Sequence, residues 1–410
     1  MRLNRGSAVA VHALASCLAL APSAALCAEP AALHRPAAAV VPFLYEDARI
    51  YVPVRIGSGS LRWFILDTGA TDTIIDSAIA RDEHLSIEGS QTVRGAGSGS
   101  SRQGETASLS LTVGDVPMHV AQPQVLDLAH LLGTTSGRAP AGIIGSQFFR
   151  EHFLDVDFAA RQMRVEPAGV KRRSQYSVAV PLRFVNGTPL TTVSLVLPGG
   201  RTVRANALVD LGAKSTFLIP EPFIDREKLR GAFARAVVTG FGAGVGGDTF
   251  YAFVRARSLS FAGVPGIGLD RPVIGLSVGG TLRSTWNEGL LGAEFLSRFR
   301  LGFDYRRKRL LLSPVHSAPP LFDRSGMFIV AAGDMLDHVA VREILPDGPA
   351  AAAGLAKGDE ILAVDGQLVR TLGLAKVREI LRQPHIRSVT IAYRRGSEER
   401  SVRLKPRDLL

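Results

Sequence analysis

The sequence predicts a mainly β protein made of two copies of one lobe, followed by a smaller C-terminal unit of different character. Three observations carry this reading. Four landmarks recur in the same order along the chain, and self-similarity at a fixed distance marks a duplicated unit. Glycine (42) and proline (23) are abundant, while aromatics are only 7% of 410 residues; that balance suits short strands and tight turns better than long helices. After Val315 the pattern breaks at Ser317-Ala318-Pro319-Pro320, a linker signal.

The N-terminus reads as an export signal over 1–28. Arg2 and Arg5 precede a small, apolar run over 8–26, and Ala25-Leu26-Cys27-Ala28 offers a small-residue cleavage site. The run is broken by Pro22 and is short for a membrane span, so the expectation is an exported protein, periplasmic or secreted. Both cysteines, Cys17 and Cys27, fall in this segment, which leaves no disulfide after cleavage. Leu14-Ala15-Ser16-Cys17 has the form of a lipoprotein box, but the residues after Cys17 stay apolar; lipidation at Cys17 is the lesser alternative. The net charge is +11. The basic runs Lys171-Arg172-Arg173 and Arg306-Arg307-Lys308-Arg309 contain no interleaved aromatics, so they read as solvated loops and no nucleic-acid partner is expected.

The duplicated lobes span 38–167 and 177–315. Val40-Val41-Pro42-Phe43 matches Ala179-Val180-Pro181-Leu182. Asp67-Thr68-Gly69, behind the apolar strand Trp63-Phe64-Ile65-Leu66, matches Asp210-Leu211-Gly212 behind Ala207-Leu208-Val209. A glycine cluster at 95–99 matches one at 240–244, and Gly142-Ile143-Ile144-Gly145 matches Gly289-Leu290-Leu291-Gly292. Each copy then continues into a short helical stretch and a hairpin. Asp67 lies 75 positions before Gly142, and Asp210 lies 79 before Gly289. The C-terminal unit, 323–408, contains Asp347-Gly348-Pro349-Ala350, Ala353-Gly354-Leu355, Lys357-Gly358-Asp359-Glu360 and Val364-Asp365-Gly366. This order of turn, short helix, strand and Asp-Gly hairpin closely resembles a PDZ domain.

Two acids on glycine turns, one per lobe, suit a particular chemistry. A water held between two carboxyls attacks a peptide carbonyl when one carboxyl is ionised and takes the water's proton. The other must be protonated to polarise the carbonyl. Carboxyls this close share one proton and titrate as a pair. The residues Asp67-Thr68-Gly69-Ala70-Thr71-Asp72-Thr73 resemble the active-site loop of retropepsin-like aspartic peptidases. Ile143-Ile144-Gly145 and Leu290-Leu291-Gly292 resemble that family's second signature, which backs the catalytic loop. The resemblance covers about 40–315 and, with the export signal and the PDZ unit, is similar to exported bacterial aspartyl proteases.

The resemblance implies a two-lobed aspartic-protease-type β fold with a cleft between the lobes. It implies Asp67 and Asp210 as the catalytic carboxylates, with Thr68, Gly69 and Gly212 supporting their loops. Segments 95–101 and 240–246 become flaps over the substrate, among them Gly95, Ala96, Gly97, Gly240, Phe241 and Gly242. Leu211 departs from the family's Thr or Ser and removes one half of a reciprocal hydroxyl grip. A lost buried partner of this kind costs about 1–3 kcal/mol. Lys214 either points into the cleft, where it favours ionised Asp210 or an acidic substrate side chain, or points to solvent.

In the PDZ unit, Ser325-Gly326-Met327-Phe328 is the candidate carboxylate loop, with Gly326, Met327 and Phe328 as peptide-binding residues and 374–381 as the flanking helix. Gly275-Leu276-Ser277-Val278-Gly279 matches a serine-hydrolase elbow, but no convincing helix follows. No His-Glu-x-x-His or paired cysteine ligands occur. The expected partners are a polypeptide substrate and a C-terminal peptide at the PDZ unit. No cofactor or metal is expected, and one chain supplies the whole dyad. The rival reading is a peptide-binding protein of the envelope that does not cleave.

Overall fold

The computed structural model describes residues 38–93, 101–170, 175–244, 247–264, 266–279, 282–315 and 320–410. The expected export signal with Cys17 and Cys27, the run Lys171-Arg172-Arg173, and Gly95, Ala96 and Gly97 of the expected first flap lie outside the described residues.

The duplication holds strand for strand. In the first lobe a sheet runs, in hydrogen-bonded order, from the hairpin Ile87–Val93 and Ser101–Thr106 through Gln124–Leu126, Ile74–Asp76, Gly142–Ile144, Arg62–Leu66 and Arg49–Ile56. It ends on the hairpin Leu109–Val113 and Val116–Val120, and Leu44–Glu46 adds to Arg49–Ile56. The second lobe runs from Val237–Gly244 and Gly247–Arg255 through Val273–Ser277, Phe217–Ile219, Gly289–Gly292, Thr202–Asp210 and Thr188–Val196. It ends on Ser258–Phe261 and Gly268–Asp270, with Arg183–Val185 added to Thr188–Val196. Each sheet curls on itself, so a central strand is covered on both faces; Arg49–Ile56 buries every residue except Arg55. Such burial favours continuous apolar runs over strict alternation.

A third, six-stranded sheet joins the lobes. Its order is Ala39–Pro42, Gln162–Pro167, His152–Asp157, Phe299–Asp304, Arg309–Pro314 and Val178–Pro181, three strands from each copy. The seam is the antiparallel pairing of His152–Asp157 with Phe299–Asp304, with Leu154 opposite Phe303. Arg300 makes a two-pronged contact with the buried Asp155 across it, at 2.8 and 2.7 Å. One apolar core runs through both lobes, from Val41 and Phe64 to Phe217 and Leu312. The Arg306-Arg307-Lys308-Arg309 run is not merely a solvated loop. Arg307 and Arg309 both pair with the buried Asp304, and Arg307 also donates to the carbonyls of Gly169 and Val170.

The PDZ unit has its own core, including Ile329, Val341, Ile361, Val377 and Ile391. Its sheet runs in the order Met327–Ala332, His338–Ile344, Glu360–Val364, Val389–Arg395 and Glu398–Leu404, which leaves Met327–Ala332 at the edge. The helix Val369–Arg382 is broken at Gly373 (φ 73°), so its regular part begins at Leu374, as the sequence led us to expect. Among the described residues no helix is long and apolar enough to cross a membrane.

Candidate active site

Topology places both acids. The strand Gly142–Ile144 inserts between Arg62–Leu66 and Ile74–Asp76, parallel to the first and antiparallel to the second. The chain must therefore leave Leu66, loop over the inserted strand and return at Ile74; Asp67 opens that loop. The second lobe repeats the device, with Gly289–Gly292 between Thr202–Asp210 and Phe217–Ile219. The inserted strands begin with glycine because nothing larger fits: a Cβ on Gly142 would stand 2.1 Å from the Phe64 ring, and one on Gly289 would stand 2.3 Å from Phe217. The backing signature and the residue after it also hold the loops by hydrogen bonds, Asp67 N to Ile144 O at 3.0 Å and Ala293 N to Ala213 O at 2.7 Å.

The two loops bring the acids face to face. A Cβ on Gly69 would lie 2.8 Å from the Asp210 carboxyl carbon, and one on Gly212 would lie 2.3 Å from that of Asp67. Each carboxyl thus rests on the opposing loop's glycine, and only glycine leaves room for it. Each is also held by its own loop. Asp67 Oδ1 accepts from Gly69 N (2.7 Å) and Ala70 N (3.2 Å). Asp210 Oδ1 accepts from Gly212 N (2.9 Å) and Ala213 N (3.0 Å).

The two acids are inequivalent. Burial and then the charge of Asp67 push Asp210 well above the ordinary carboxylate range. Burial also raises Asp67, but the Gly69 amide, the hydrogen bond from Asp210, the Ala70 amide and the Arg49 charge oppose the rise. A pair this close shares one proton and one charge, and Asp210 is the more strongly raised of the two. Asp67 is partly open to solvent, whereas Asp210 is buried.

Thr68 makes the hydroxyl grip alone. Its Oγ1 donates to Val209 O (2.6 Å) and accepts from Leu211 N (2.9 Å), so one side chain bridges the loops. Leu211 is fully buried in the apolar core, where its side chain adds packing and no polar contact. Gly240, Phe241 and Gly242, expected in the second flap, lie on the strand Val237–Gly244, where the pairing with Gly247–Arg255 shifts register between Gly240 and Gly242. Phe328 of the PDZ unit presses on this strand: a Cβ on Gly240 would stand 2.5 Å from its ring.

Gly326 (φ 73°) turns into the edge strand Met327–Ala332. Its amide donates to Asp323 Oδ1 (2.7 Å), and the Met327 amide donates to Ser325 Oγ (3.1 Å). Ser277 is buried at the end of Val273–Ser277 with no helix after it among the described residues, which is not the geometry of a nucleophile elbow. Among the described residues no group of three or more His, Cys, Asp or Glu could hold a metal ion.

Lys214 follows neither expectation. It is 6% exposed and reaches away from solvent to Asp47 Oδ2 (3.1 Å) and Thr135 O (3.4 Å). Asp47 is also bonded by Arg378 of the PDZ helix, whose guanidinium donates to Thr135 O and to Ile329 O, each at 2.7 Å. Burial opposes the charge on Asp47, but Lys214 and Arg378 hold its pKa far below the usual range. Burial and the Arg378 charge bring Lys214 down to about 7. Beside this cluster, Arg49 donates to Gly212 O (3.3 Å) and Ser136 Oγ (2.6 Å).

Asp47, Arg49 and Arg378 were not singled out from the sequence. A signal existed for the two arginines: Arg49 opens a strand that is otherwise almost wholly apolar, and Arg378 sits beside Leu374, Val377 and Leu381 on the buried face of its helix.

An aspartyl protease family model matches residues 52–148, and a PDZ domain model matches 341–395. The chain thus carries an aspartyl protease domain and a PDZ domain. No curated protein matches the sequence. Among solved structures, the aspartic proteinase from Irpex lacteus is similar with 17% identity and a TM-score of 0.43, over 68% of this chain and 98% of that one.

Proposed function

We propose that the protein is an exported aspartic endopeptidase that cleaves polypeptides with a water held between Asp67 and Asp210. The observation that carries this reading is the placement of each carboxyl on the opposing loop's glycine; the stronger upward push on Asp210 supports its role as the acid. Asp67 takes a proton from the water as its oxygen attacks the peptide carbonyl carbon. Asp210 gives its proton to the carbonyl oxygen, which forms a neutral diol. Asp67 then protonates the leaving nitrogen, the C–N bond breaks, and a diol hydroxyl returns a proton to Asp210. The buried setting strengthens each of these interactions relative to water. The flap strand Val237–Gly244 belongs to the wall that encloses an extended substrate and excludes solvent.

The test is cleavage of a diverse peptide pool from pH 3 to 8 by the chain beginning near Glu29, read by mass spectrometry. The rate follows a bell, rising as the pair loses its first proton and falling as it loses its second, with its centre above the ordinary carboxylate range. Asp67→Asn and Asp210→Asn each abolish the cuts and leave the fold intact. Full activity in either variant would sink the assignment. One observation favours the rival reading of a peptide binder: Leu211 leaves only one of two hydroxyls in the grip. Peptides retained by a folded protein without cuts at any pH would establish that reading instead.

A further inference from the structure

The PDZ helix reaches a carboxylate that it shares with the second catalytic loop. Arg378 is 8% exposed, and three of its contacts converge on the junction of the three parts of the chain. It bonds Asp47 on the hairpin turn of the first lobe, Thr135 O on that lobe's helical turn, and Ile329 O on the PDZ edge strand. Asp47 and Thr135 O also accept from Lys214. Lys214 lies four residues after Asp210, on the same loop whose Gly212 and Ala213 amides hold the Asp210 carboxyl.

Arginine suits this place because its planar fork serves several acceptors at fixed angles, which a lysine cannot reproduce. The same loop is held on its other side by Arg49, through Gly212 O. The Ile329 carbonyl, on the strand edge where an added peptide strand would pair, is engaged by Arg378 itself. Gly137 of the first lobe lies against the start of the same helix: a Cβ there would stand 2.9 Å from Leu374 Cβ.

Resting on the peptidase reading, we propose that Arg378 is a positioning residue for the Asp210 loop, acting through Asp47 and Lys214. The PDZ domain is thereby a structural part of the catalytic centre. Its helix fixes the carboxylate that Lys214 must reach, and Lys214 fixes the end of the loop that carries Asp210. Losing Arg378 frees Asp47 and Lys214 to rearrange and loosens the loop, while the substrate-contacting walls keep their residues.

The experiment compares the full mature chain with Asp47→Asn, Arg378→Met, Arg378→Lys and the Asp47→Asn/Arg378→Met double variant. Steady-state kinetics use a quenched peptide that the wild type cleaves. In parallel, the labelling rate of Lys214 by acetic anhydride is read by mass spectrometry, and circular dichroism checks the fold. The expected result is a kcat at least tenfold lower in Asp47→Asn and Arg378→Met with KM within twofold. Arg378→Lys recovers part of kcat, the double variant is no slower than the slower single, and Lys214 labels faster in Arg378→Met.

A raised KM with kcat intact would show that Arg378 serves substrate recruitment and would overturn the proposal. So would an unchanged kcat, or losses that multiply in the double variant. If the wild type proves inactive, the peptidase reading fails and the labelling decides this one separately: Lys214 equally protected in wild type and folded Arg378→Met refutes positioning by Arg378.

Discussion

At the scale of single residues the site depends on one hydroxyl and two glycines. Thr68 Oγ1 satisfies both Val209 O and Leu211 N in a buried setting. Thr68→Val keeps the shape but orphans two backbone groups, each costing about 1–3 kcal/mol. Chemical denaturation should therefore show a marked loss of stability, and kcat should fall about tenfold or more as the loops drift. Leu211→Thr works in the opposite sense on the two readouts. A second hydroxyl adds a second bridge and is expected to raise kcat. The same change removes buried apolar surface, and two fewer side-chain carbons in the core, one of them replaced by a hydroxyl, lower stability by about 1–2 kcal/mol. An unchanged or lower kcat in a folded Leu211→Thr protein would show that Thr68 alone already saturates the grip.

At the scale of elements, the strand Val237–Gly244 is coupled to the PDZ unit by contact rather than by charge. Gly240 admits the Phe328 ring only because it lacks a side chain. Gly240→Ala sets a methyl 2.5 Å from that ring, and overpacking of this kind costs about 1–3 kcal/mol. Thermal melts should show the loss, and hydrogen exchange should rise on both Val237–Gly244 and Met327–Ala332. Adding Phe328→Leu makes room and should return much of the lost stability. If Gly240→Ala alone changes neither readout, the two elements do not bear on each other in solution.

At the scale of the whole molecule, a buried cluster with more cations than anions ties the three parts together. Asp47 and Glu294 face Lys214, Arg378, Arg49 and Arg382; burial, and after it the Arg378 charge, holds Lys214 near 7 against an ordinary value of 10.5. A lysine with a depressed folded-state pKa binds fewer protons when folded than when unfolded across the window between those values. Stability therefore rises with pH from about 7 towards 10, and the cost is fully present below 7. Melting temperature measured from pH 7 to 9.5 should climb in wild type. Lys214→Met, which leaves Asp47 paired with Arg378 alone, should flatten that slope and be neutral or stabilising at pH 7, as apolar replacement of a buried charge often is. A slope that persists in Lys214→Met would assign it to another group.

The duplication, the mainly β composition and the paired Asp turns were legible in the sequence because each is a local pattern repeated in order. Gly69, Gly212, Gly142 and Gly289 stood out as repeated landmarks, but the reason for each is tertiary, since a Cβ there would strike the opposing carboxyl or a phenylalanine ring. The shared six-stranded sheet was visible only as matching hairpins, since pairing partners such as Leu154 and Phe303 are set by the meeting of the two lobes. Lys214 could be read only as pointing to cleft or solvent, because its partner Asp47 lies 167 positions away and Asp47's second partner, Arg378, lies 331 away. Local propensity and periodicity carry no information across such distances. Which charges are buried together, and so which of them hold a pKa far from its ordinary value, was decided by the tertiary structure alone, because desolvation and Coulomb energy depend on separation in space and not along the chain.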